Sequence, residues 1–205
     1  MERRALMGLI LAAMLLPNVA SAQDGVEGIT YNYSFPAVDL DKYVGKDSWY
    51  GVTLDLRRPL PQRPHLLVGL SSGWYVFYDN ANRTIDFGQG AVSGQQYRNF
   101  NIVPILAGAT LMLGDSKVTH VFVGFNGGGY YARQQLDIGL YSFEESNWHW
   151  GVAPEAGIVV PMQYGHSAAY VNVRYHLLYK AGGYLGDQSM ELGFLTLGVG
   201  GAWRY

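Results

Sequence analysis

The stretch Leu195-Thr196-Leu197-Gly198-Val199-Gly200-Gly201-Ala202-Trp203-Arg204-Tyr205 alternates without a break. Leu195, Leu197, Val199, Gly201, Trp203 and Tyr205 share one parity; Thr196, Gly198, Gly200, Ala202 and Arg204 share the other. Successive residues of a strand point to opposite faces, so a period of two marks a strand between two different environments. The same pattern recurs upstream. In residues 49–57 one face reads Tyr50, Val52, Leu54, Leu56 and the other Trp49, Gly51, Thr53, Asp55, Arg57. In residues 65–78, Leu66, Val68, Leu70, Trp74, Val76 and Tyr78 oppose Gly69, Ser71, Gly73 and Tyr75. In residues 168–179, Ala169, Val171, Val173, Tyr175, Leu177 and Tyr179 oppose Ala168, Tyr170, Asn172, Arg174 and His176.

Composition narrows the class. Of the 205 residues only 15% are charged, with 27 glycines, 16 tyrosines, no cysteine and a net charge of -2. A soluble domain carries roughly 25% charge, and a nucleic-acid binder or disordered tail carries more. Without cysteine there is no disulfide framework, thiol nucleophile or cysteine-held metal. The first 22 residues read as a cleaved secretory signal peptide. Arg3 and Arg4 precede an apolar run from Ala5 to Leu16, and Ala20-Ser21-Ala22 supplies the small-residue cleavage site. Cleavage after Ala22 leaves a single domain over residues 23–205.

No later segment offers the roughly 20 consecutive apolar residues of a spanning helix. The strands are instead long enough to cross a bilayer tilted, which takes about 9–11 residues. Aromatics gather at their ends: Trp49, Tyr50, Tyr78, Trp148, Trp150 and Tyr179 occupy the positions of an interfacial girdle. A soluble β-sandwich also alternates, but its strands are shorter. Three further strands fall at 97–113, 118–133 and 148–161. Pro104 and Pro154 interrupt two of them, to be accommodated by a bulge or by an earlier strand end. Short connections at 58–65, 114–117 and 162–167 alternate with longer ones at 79–96, 134–147 and 180–190, as periplasmic turns alternate with external loops. An even count then requires residues 26–35 as the first strand, with 36–48 as the first external loop. The reading is an all-β, eight-stranded antiparallel up-and-down transmembrane β-barrel.

The terminal G-x-x-aromatic-x-aromatic run, with Gly200, Trp203 and Tyr205, resembles the C-terminal signal read by the outer-membrane barrel-assembly machinery of Gram-negative bacteria. With the glycine-broken alternation of residues 102–113, 121–131 and 152–160, the chain resembles the small eight-stranded outer-membrane barrels of the OmpA/OmpX/OmpW-like group. The resemblance implies a bacterial outer-membrane location and contacts with membrane lipids, lipopolysaccharide and the assembly machinery. It implies no cofactor and no nucleic-acid partner, and it leaves oligomeric state and activity open.

An eight-stranded interior is just wide enough for side chains to fill, so inward charges need partners. A turn centred between Tyr164 and Gly165 places Glu155 opposite Arg174, Gly157 opposite Asn172 and Ala153 opposite His176. Asp55 and Arg57 join this lumen network from lower down. The network either plugs the lumen or lines a narrow wet pore, and the strand number favours the plug. The functional readings are a structural or interaction barrel acting through its external loops, a narrow channel for small solutes, and an envelope-lipid enzyme, for which His149 and His176 are the rim candidates, with Ser142, Glu144, Glu145 and Ser146 in the third external loop. No spacing fixes a catalytic triad, and the histidines give no metal-ligand spacing. His65, His120 and His166 fall near the short turns, where a solvated or capping role is expected. Gly127-Gly128-Gly129 lacks the lysine and the strand-to-helix context of a phosphate loop. It reads as a wall that bends or admits a bulky neighbour.

Overall fold

The computed structural model describes residues 25–86, 91–114, 119–162, 167–179 and 191–204. Residues 1–24, which include the expected signal segment, and His166 and Tyr205 lie outside them. Eight antiparallel strands follow one another round a closed barrel, and β8 returns to pair with β1. They are β1 (Val26–Val38), β2 (Tyr50–Leu60), β3 (Arg63–Asp86), β4 (Ala91–Leu113), β5 (His120–Ile138), β6 (Tyr141–Pro161), β7 (Ser167–Leu178) and β8 (Leu192–Arg204). One short helix, α1 (Asp39–Val44), joins β1 to β2.

The period of two becomes two surfaces. Outward Leu56, Val173 and Val199 are 53%, 42% and 62% exposed, whereas Asp55, Asn172 and Arg174 beside the first two are 4%, 2% and 1% exposed. Apolar outside and polar inside is the inverse of a soluble domain and the pattern of a lipid-facing wall.

The two prolines produce neither a bulge nor an early strand end. The β3–β4 ladder skips from Ser72–Ile105 to Tyr75–Ile102 with its register intact. The β6–β7 ladder likewise skips from Val152–Leu177 to Glu155–Arg174. On their other edges Pro104 pairs with Tyr130 and Pro154 with Phe125. Each proline turns its missing donor toward one neighbour, and the ladder gaps there. Ala153 and His176 fall in the second gap.

Two expected external loops are strand. β3 and β4 stay paired as far as Asp86–Ala91, and β5 and β6 as far as Ile138–Tyr141. The β2–β3 ladder stops at Tyr50–Val76 and the β6–β7 ladder at Gly151–Leu178. Among the described residues, strands β3 to β6 therefore continue past the ends of the β2–β3 and β6–β7 ladders as a projecting four-stranded sheet. On β4 and β5 the inward face there stays buried at Gln96, Gln134, Leu136 and Ile138, but the projecting segments carry polar residues on both parities, so the apolar alternation that signals a strand is lost although the backbone ladder continues.

The first external loop is also different from expectation. β1 runs on to Val38, and α1 then folds into the barrel mouth with Leu40 and Val44 fully buried. Leu40, Tyr43 and Val44 lie three and four apart, one face of a helix, and Gly45 closes it in the left-handed conformation at φ 64°. The helix is tied down on three sides. Asp39 N–H donates to the Glu191 carbonyl at 3.2 Å; Arg98 Nη1 donates to the Tyr43 carbonyl at 2.9 Å and its guanidinium lies over the Tyr43 ring. Lys46 Nζ pairs with Asp79 at 2.9 Å.

Candidate functional site

The lumen is built in layers. Nearest the Val26–Arg204 pair, Val26, Leu67, Phe122, Val159, Tyr170 and Ala202 form an apolar floor. His120 is 3% exposed on this inward parity, so the solvated role expected for it is wrong; His65, near the start of β3, is exposed.

The middle layer holds the charges. Arg174 on β7 donates from Nε and Nη2 to Glu155 Oε2 at 2.8 and 2.5 Å, from Nη1 to Ser71 Oγ at 2.8 Å, and from Nη2 to Asp55 Oδ1 at 3.0 Å. Arg57 Nη2 reaches the same Asp55 oxygen at 3.0 Å, and its Nη1 lies 2.5 Å from Glu155 Oε1. Thr110 accepts from Arg57 and donates to Glu155 Oε1 at 3.2 Å. Two carboxylates and two guanidiniums thus make a neutral ring spanning β2, β3, β4, β6 and β7. The forked guanidinium suits this because one Arg174 can serve three acceptors in a plane. Gly124 on β5 supplies the space: a Cβ there would sit 2.6 Å from Glu155 Oε1 and 2.8 Å from Thr110 Oγ1.

Above the charges lies an aromatic layer, and His176 belongs to it rather than to the ionic ring. Its ring stacks on Phe194 at 4.3 Å between centroids, and its Nδ1 is 3.0 Å from the Tyr130 hydroxyl. Tyr75, Phe77, Phe100 and Tyr130 complete the layer, and α1 closes it from above. Tyr75 links the two polar levels by a 2.8 Å hydrogen bond between its hydroxyl and Thr53 Oγ1.

The rim residues of the enzyme reading are separated. His149 and His176 face inward at 2% and 0% exposure, so neither is a rim base. Ser142 and Glu144 lie on the projecting β5–β6 hairpin. Ser142 donates to Asp137 at 2.5 Å, Arg133 pairs with Glu144 at 2.7 Å, and Asn147 donates to Glu145 at 2.9 Å. Ser146 sits on β6 opposite Arg133. Among the described residues no group of three metal-ligating side chains is present.

Trp49, Tyr50, Tyr78, Trp148, Trp150 and Tyr179 all face outward, between 48% and 74% exposed, near the end from which the sheet projects. Trp203 faces outward at the opposite end, in the pair next to the last of the β1–β8 ladder that holds Gly200 against Thr30. Sequence reasoning missed Ser71 and Thr110 as ring members, the aromatic layer and α1. Ser71 stood on the polar parity, but parity carries no information about which residue lies across the lumen.

An apolar wall, a polar filled interior and an aromatic girdle define a transmembrane β-barrel. Its fold is that of the small eight-stranded outer-membrane barrels. The structure is similar to Neisserial surface protein A, at TM-score 0.59 and 12% identity over 89% of this chain and 97% of that one. It is also similar to Ail, the attachment invasion locus protein of Yersinia pestis, at TM-score 0.50 and 15% identity over 90% of this chain and 100% of that one. No family model and no curated protein matches the chain.

Proposed function

We propose that this protein is a bacterial outer-membrane barrel with a closed lumen, acting at the cell surface through its projecting β3–β6 sheet. The observation that carries the reading is the filled interior. Three layers and a helix occupy the space that a channel would need, and the ionic layer is saturated with internal partners. The Gly200–Trp203–Tyr205 run delivers the chain to the assembly machinery, and the outward aromatics seat it against membrane lipid and lipopolysaccharide. With the bulk of the barrel solid, the sheet that rises past Tyr50 and Gly151 is, among the described residues, the part placed to reach other molecules.

The test is electrical and biochemical. Purified barrel in planar bilayers should give no discrete conductance steps. Shortening the β5–β6 hairpin between Gln135 and Glu144 should leave folding intact while removing binding to surfaces or lipopolysaccharide. Regular steps from the wild-type barrel would replace this reading with a narrow solute channel.

A further inference from the structure

A groove of about 540 Å³ opens on the outside of the wall, over β3 to β6. Its floor is the backbone of Gly127 and Gly129 with Ala107 beside it; Leu70 and Ile105 form one bank, Trp148 and Trp150 the other. The volume lies within the 300–1,000 Å³ of small-molecule sites. Along β5 the outward positions read Val121, Val123, Phe125, Gly127, Gly129, Tyr131, so two side chains are missing in succession from an otherwise bulky apolar row.

The reason for glycine differs among the three. A Cβ on Gly128 would lie 2.3 Å from the Ile105 carbonyl oxygen, so the wall itself demands glycine there. A Cβ on Gly127 would meet nothing closer than 3.7 Å, an ordinary contact. One on Gly129 would lie 3.3 Å from the Trp148 ring, a tight fit against a side chain but not against backbone. Glycine inside a strand weakens it, and where nothing in the fold requires it, it marks a close approach by something outside.

The geometry points to a bound lipid acyl chain in this groove. The groove is continuous with the belt that faces the membrane, its lining is apolar, and it lies just below the Trp148–Tyr131 contact, where ring centroids are 5.5 Å apart. Inside a bilayer, association gains no hydrophobic drive and depends on close van der Waals packing. A smooth wall offers a chain only one side, whereas a groove surrounds it. A flexible single-file chain suits such a slot better than the broad convex wall of a second barrel. The inference rests on the wall facing lipid, and not on what the projecting sheet binds.

The experiment is native mass spectrometry of intact barrel folded into vesicles of saturated-chain phosphatidylethanolamine or of phosphatidylglycerol with the same chains. Wild type should carry a retained lipid in both. Gly127→Leu and Ala107→Leu, which fill the groove from β5 and from β4, should each lower the lipid-bearing fraction several-fold, with folding verified by heat-modifiable gel mobility. Equal retention in folded variants and wild type would overturn the proposal, as would retention of the anionic lipid alone, which reports a headgroup site. Wild-type dimers that Gly127→Leu disperses would overturn it in favour of a second copy of the chain.

Discussion

Arg174 Nη2 lies 2.5 Å from Glu155 Oε2 across the β6–β7 ladder, and both residues are almost wholly buried. Each is also held by a member of a second pair: Arg174 by Asp55, and Glu155 by Arg57. The four charges sum to zero, as two carboxylates and two guanidiniums. Removing one leaves an excess charge in a space closed above and below by aromatic and aliphatic side chains.

Glu155→Gln and Arg174→Met should therefore each destabilise the barrel by about 3–5 kcal/mol, the usual cost of breaking a buried pair. The double variant should recover much of that loss, because the Asp55–Arg57 pair remains neutral by itself. A double-mutant cycle on urea unfolding in lipid vesicles measures the coupling. Small, strictly additive effects would mean that water fills the lumen.

Val173 and Asn172 are chain neighbours on opposite faces of β7, one outward and 42% exposed, the other inward and 2% exposed. An arginine facing lipid near mid-bilayer costs about 2–4 kcal/mol. Val173→Arg should lower the folded yield in vesicles, while Asn172→Ser should change it little. Equal tolerance at the two positions would show that the wall does not face acyl chains.

Orientation can be read by labelling. Leu140, in the turn between β5 and β6, is fully exposed at the tip of the projecting sheet, and Gln62 is exposed in the short β2–β3 turn. A cysteine at Leu140 should react with a membrane-impermeant maleimide on intact cells. A cysteine at Gln62 should react only after the outer membrane is opened. The reverse pattern would invert the barrel.

Leu40 is fully buried in the barrel mouth against the aromatic layer. Leu40→Ala leaves a cavity beneath α1 and should cost about 2–5 kcal/mol if the surroundings do not collapse. The loss should appear first as faster amide exchange over residues 39–45, with the β6–β7 ladder still protected. Unchanged exchange there would show that the ties at Arg98 and Lys46, rather than packing, hold the helix.

The strands were legible wherever one face met lipid and the other the packed lumen, because those two environments impose a period of two. From that parity came the barrel class, the strand count and the β6–β7 register at Glu155–Arg174, since hairpin register depends only on where a turn is centred. Three things were decided by the tertiary structure. The projecting sheet was read as loops because its segments carry polar residues on both parities, which erases the alternation that marks a strand. Residues 36–48 were read as an outside loop from the even strand count, whereas the mouth of the barrel buries Leu40 and Val44 once strands surround them. The ionic ring joins Arg174 to Asp55, which is 119 positions away, and Arg57 to Thr110, 53 away. Which inward residues meet across a lumen depends on strand tilt and stagger, and those are properties of the closed barrel rather than of any one strand.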